Sequence, residues 1–138
     1  MGGKIDRLHG TPLLADVVVR GVFDGRFAES QARHGGMTSF DMGPTAIVET
    51  AAGLVVQLTT QRVFPVSLGQ LTSCGLDPAS FRAIVAKGVH APLGAYAAVC
   101  PTILRVNTPG VTSADLNSFD YRYRRRPMFP LEADTTWK

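Results

Sequence analysis

Lys87 and His90 stand close together in the segment AKGVHAPLGAY, and an ammonium beside an imidazole is a pairing that can hold an anionic or carbonyl group. Lys87 would supply the charge and His90 a hydrogen-bond donor, while Gly94 and Ala95 lack bulk and let a ligand approach the backbone. The competing reading is that Lys87 lays its stem over an apolar surface and His90 caps a helix. On residue types alone this second reading is the stronger. The other candidates for chemistry are thinner. Neither GxxxxGK[ST] nor GxGxxG occurs, so nucleotide binding has little support. His9, His34 and His90 sit in three separate segments without ligand spacing, and His34 could share an ion with Asp41 only if its loop folded back. No serine occupies a nucleophile elbow, and Cys100 reads as a small buried hydrophobe.

The elements that must position Lys87 and His90 run from Asp77 to Gly110. Asp77-Pro78 is a helix start, an N-cap acceptor followed by a proline whose missing N–H costs nothing there. Arg82 to Lys87, with Ala83, Ile84, Val85 and Ala86, predicts a buried strand. Gly88 to Pro92 is a tight connection, Pro92 opens a helix through Leu93, Tyr96 and Val99, and Cys100-Pro101 ends it. Thr102 to Asn107 predicts a second strand, and Pro109-Gly110 turns the chain away. Such a strand–helix–strand unit is a parallel crossover, which places Lys87 and His90 at the carboxyl end of a strand beside a helix N-terminus, where open sheets bind ligands.

Upstream, Leu13 to Phe23 predicts a strand with Val17, Val19, Gly21 and Phe23 on one face and Val18, Arg20 and Val22 on the other. Asp24-Gly25 is a hairpin-type turn, Arg26 to Glu29 a short return strand, and Ser30 to Pro44 loop. Thr45 to Glu49 and Leu54 to Thr60 form a hairpin, with Gln57 and Thr59 on a polar face. Ser67 to Cys74 is helical and closed by Gly75, and Ser113 is an N-cap candidate. The fold class predicted is α/β (α+β mixed), a single domain over 1–138 with a mixed β-sheet, one β-hairpin and a β-α-β crossover, ending in a basic, proline-containing arm over 121–138.

Bulk composition sets the bounds. A chain of 138 residues that is 45% hydrophobic and 18% charged is neither disordered nor long enough in any apolar run to span a membrane. The opening MGGKIDRLHG lacks the apolar core of a secretory signal. Two distant cysteines in apolar surroundings, Cys74 and Cys100, read as reduced thiols of a cytoplasmic protein. The net charge of +3 is too mild to argue for nucleic acid. Most of it comes from Arg122, Arg124, Arg125 and Arg126, interleaved with Tyr121 and Tyr123. These could stack on bases and bind phosphates. The apolar Pro-Met-Phe-Pro-Leu that follows favours instead an arm that docks, with its arginines paired to carboxylates within the chain or across an interface.

Taken together, AKGVHAPLGAY, RVNTPG and YRYRRRPMFPLE resemble the C-terminal domain of the MlrC family, metallopeptidases named for an enzyme that cleaves linearised microcystin. GGKIDRLHGTPL, the DGRF turn, MGPTAIV and GLDPASFRAIVAKG extend the resemblance over nearly the whole chain. It implies a larger upstream domain that carries the zinc ligands and the catalytic centre, and a chain that begins about where that domain ends. No histidine here matches a family zinc ligand, so the resemblance assigns no metal, no cofactor and no catalytic residue to this chain. The family's lysine and histidine fall on Lys87 and His90, although Ala91-Pro92 replace the aromatic and arginine that follow in relatives. The function implied is an accessory domain that completes the substrate cleft of a zinc-bearing MlrC-like domain, in trans or lost, acting on a peptide or amide. The alternatives are a non-catalytic, self-associating binding module and, more weakly, a nucleic-acid binder using Arg122 to Arg126.

Overall fold

A computed structural model of the chain describes residues 1–2, 10–32, 35–108, 113 and 115–136. They gather into two compact units, one spanning Leu14–Leu104 and the other combining Met1–Leu13 with Arg105–Lys138. The larger unit carries five strands, β1 (Val17–Phe23), β2 (Arg26–Ala28), β3 (Ser39–Asp41), β4 (Thr45–Thr50) and β5 (Val55–Thr59), and two single-turn helices, α1 (Gly69–Thr72) and α2 (Leu93–Tyr96). Strands and short helices in one chain make the class α+β.

The predicted hairpin is there. β4 pairs antiparallel with β5, and Thr50, Gly53 and Leu54 close the turn through Gly53 N–H to Thr50 C=O and Leu54 N–H to Thr50 Oγ1. β1 adds to the other side of β4, giving a three-stranded sheet in the order β1-β4-β5. The return strand does not pair with β1 as the Asp24-Gly25 turn suggested. β2 pairs instead with β3, which falls inside the stretch 30–44 predicted as loop. At the turn Gly25 sits at φ +75°, where an added Cβ would run into the Gly43 carbonyl and Thr45 Oγ1, so only glycine lets the chain pass that close to the start of β4.

The alternation read along β1 also breaks. A bulge between Val19 and Gly21 leaves Arg20 without a partner, so Val18, Gly21 and Phe23 lie opposite Glu49, Ile47 and Thr45, while Val17, Val19 and Val22 lie opposite Thr50, Val48 and Ala46. Residues directly opposite share a face, and one inserted residue exchanges the faces beyond it. Phe23 thereby reaches the core of Met42, Ile47 and Cys74, against which Phe27, Val55, Val63 and Leu76 also pack. Gln57 ties this face to α1, donating through Nε2 to the Gln70 carbonyl at 2.6 Å and to Cys74 Sγ at 3.4 Å. Gly75 closes α1 at φ +73°, as predicted, with its N–H bonded to the Thr72 carbonyl.

The predicted β-α-β crossover is absent. Both sheets are antiparallel, and neither 82–87 nor 102–107 forms a strand. Among the described residues no main-chain hydrogen bond ties either segment to another. Val85 is 96% exposed, Leu104 82% and Val106 77%. A strand exists only where a neighbour accepts its ladder and a layer covers its face. α2, a single turn that buries Ala95 and Tyr96, supplies no such layer.

Candidate functional site

Lys87 and His90 lie on the exposed segment that leads into α2, and both side chains face solvent. Their local frame comes from the turn that follows. The His90 carbonyl accepts the Leu93 N–H at 3.0 Å, the Pro92 carbonyl accepts the Tyr96 N–H at 2.9 Å, and Ala95 and Tyr96 are buried. Gly88 lets the chain pass Pro92, whose Cδ would lie 3.0 Å from an added Cβ. No side chain caps α2, so His90 contributes its backbone and not its ring to that helix. Both residues are therefore exposed at the surface, on the stretch that enters α2. A cleft of about 480 Å³ is lined by residues of β2 and β3, and one of about 260 Å³ by Asn117, Tyr121, Arg124 and neighbours.

The residues lining the cleft on β2 and β3 include an ion pair, Arg26 Nε to Asp41 Oδ2 at 3.1 Å, and the stacked rings of Phe27 and Phe40. The Gly43 N–H, donating to Asp41 Oδ1 at 2.7 Å, and then Arg26 hold the Asp41 carboxyl below its ordinary range. This makes Asp41 a structural acceptor that braces the turn into β4. The pairing of Asp41 with His34 considered from sequence falls outside the described residues, as does His9. Among the described residues no three His, Cys, Asp or Glu side chains converge as a metal site would require. Nor is any described helix long and apolar enough to cross a membrane. Cys74 and Cys100 are both free.

Within the terminal arm, residues 121–132 are tied together by side-chain bonds. Arg124 turns inward and grips Glu132 with both terminal nitrogens, Nη1 to Oε2 at 2.7 Å and Nη2 to Oε1. Glu132 Oε2 also accepts the Met128 N–H at 2.8 Å, so one carboxylate ties the basic run to the Pro-Met-Phe-Pro-Leu turn. Arg124 and then Met128 push the Glu132 carboxyl down to about 2. Tyr121 lies under the Arg124 guanidinium, 6.0 Å from ring centre to Cζ, and meets Phe119 edge-on. The expectation that the arginines pair with carboxylates holds for Arg124 and, with Asp120 at 3.3 Å, for Arg122. The residue that sequence reading did not single out is Glu132, the only acid of that closing turn. Before it, Ser113 accepts the Asp115 N–H and Asp115 itself caps the turn at Leu116–Ser118.

No curated protein and no solved structure matches the chain. A family model described as MlrC C-terminus matches residues 1–123, a span that takes in Lys87, His90 and the start of the arm, and the chain belongs to that family.

Proposed function

We propose that this domain completes the substrate cleft of an MlrC-like metal-binding hydrolase domain, presenting Lys87 and His90 to a carboxylate or carbonyl of a peptide or amide substrate. Membership of the MlrC C-terminal family, over a span that includes both residues, is the observation that carries this reading. Their exposure at the end of the segment 82–87, whose Val85 lies open to solvent, is in keeping with it, since a partner surface would supply both a covering layer and the rest of the cleft. Activation of the attacking water by zinc belongs to the partner domain. Two free thiols fit a reducing, cytoplasmic setting.

The test is reconstitution. This chain, mixed with the metal-binding domain of an MlrC-family protein, should raise hydrolysis of a linear peptide above that of the metal-binding domain alone. Lys87→Ala and His90→Ala should each raise KM about tenfold, the loss of one hydrogen bond to a charged group, while leaving the melting temperature unchanged. Unfolding without a change in KM would assign both residues to structure. A second reading, self-association, is favoured by one observation: Val17, Val19, Val22 and Leu58 leave an apolar side of the three-stranded sheet partly open around the buried Val48. Sedimentation separates the two, because self-association predicts a concentration-dependent dimer that Val22→Lys dissolves.

A further inference from the structure

We infer that the terminal arm is a docking element whose Tyr123, Phe129, Arg125 and Arg126 engage a protein surface that borders an apolar recess with carboxylates. The inference rests on the proposed function in taking that surface to be part of the metal-binding domain.

Three observations lead to it. First, the arm is braced from within. Arg124 has a side chain only 12% exposed, and its two bonds to Glu132, the Glu132 bond to the Met128 N–H, and the bonds of the Leu131 and Glu132 N–H groups to the Met128 carbonyl lock the turn. A segment ordered in advance loses little entropy on binding.

Second, the rings next to this brace are mostly left in water. Tyr123 is 99% exposed and Phe129 66%. Tyrosine and arginine are the side chains on which interface energy concentrates, because each joins a large flat surface to a polar end. An aromatic ring left in water beside a rigid turn is placed to fill a recess elsewhere.

Third, the charge selects the partner. Glu132 neutralises Arg124, and Asp120 lies 3.3 Å from Arg122. Arg125 and Arg126 are exposed and form no ion pair among the described residues. Two planar guanidinium forks match carboxylates bidentately and set a protein acid beside the aromatic slot. Two such charges and two rings are too few to follow a nucleic-acid backbone, which calls for an extended basic groove.

Titration calorimetry of the full chain against the metal-binding domain of an MlrC-family protein tests this, with single-stranded oligouridine as a parallel probe. Tyr123→Ala and the double change Arg125→Glu/Arg126→Glu should each weaken binding of the domain at least tenfold, with circular dichroism and melting temperature unchanged. Arg122→Ala should leave affinity nearly as it was, and wild-type affinity should fall as salt rises. If the domain binds and neither substitution matters, the arm is not the docking element, although the proposed function stands. If the wild-type chain does not bind the domain at all, both fall. Oligouridine binding that is tighter than that of the domain and is lost in the same variants would overturn the inference in favour of nucleic acid.

Discussion

Glu132 shows how one side chain sets the behaviour of its surroundings. Its carboxyl titrates at about 2, against an ordinary 4.5, because Arg124 and the Met128 N–H both bind the ionised form. The sign follows from linkage. The unfolded chain takes up the proton near pH 4.5 and the folded chain only near 2, so the stabilisation is complete above 4.5 and disappears as pH falls to 2. The arm should therefore stay closed in mild acid and open near pH 2, followed by the side-chain carbon shift of Glu132 in NMR. Glu132→Gln should remove that dependence between pH 2 and 4.5 and loosen residues 124–132 at neutral pH. A titration midpoint near 4.5 in the wild type would mean that the grip of Arg124 is not made in solution. Nothing in YRYRRRPMFPLE says which of four arginines Glu132 takes, because the choice depends on which way the turn at Met128 folds.

At the level of elements, burial separates residues that look alike in sequence. Ile47 and Val85 both sit in short β-branched runs, yet Ile47 is 2% exposed in the core with Met42 and Cys74, and Val85 is 96% exposed. Ile47→Ala should cost about 2–5 kcal/mol through lost burial and the cavity left behind. Val85→Ala should change stability by about 0.5 kcal/mol at most. Urea melts of the two variants measure both, and equal costs would mean that 83–86 is buried after all. The contrast marks what was legible. The β4–β5 hairpin, the Asp77 cap with its bond to the Ala79 N–H, and the Gly75 stop each depend on residues within one turn, so their signals are local. The bulge at Arg20 was not legible, since inserting one residue leaves no mark in an alternating run and still exchanges its faces. The crossover failed for a different reason. An apolar run of four states that a segment can be a strand, and the neighbour that would make it one lies elsewhere in space.

That missing neighbour is where the whole molecule and its proposed role meet. The segments 82–87 and 102–107 have the composition of strands but no ladder, and the first ends on Lys87. Main-chain amides without hydrogen-bond partners exchange with solvent at near open-chain rates, so in the isolated protein both segments should exchange within seconds. If the metal-binding domain covers the segment 82–87, it removes Val85 from water and offers a surface on which that segment can gain hydrogen bonds. Hydrogen exchange followed by mass spectrometry should then show 82–87 slowing by at least tenfold when that domain is added, while peptides of β4, already bonded on both sides, change little. Slowing confined to residues 119–132 would mean that the arm alone makes the contact, leaving Lys87 and His90 facing solvent in the complex. Slowing of 82–87 together with His90 would bring the lysine, the imidazole and the newly ordered strand into one wall of the cleft, which is the geometry a substrate carboxylate needs.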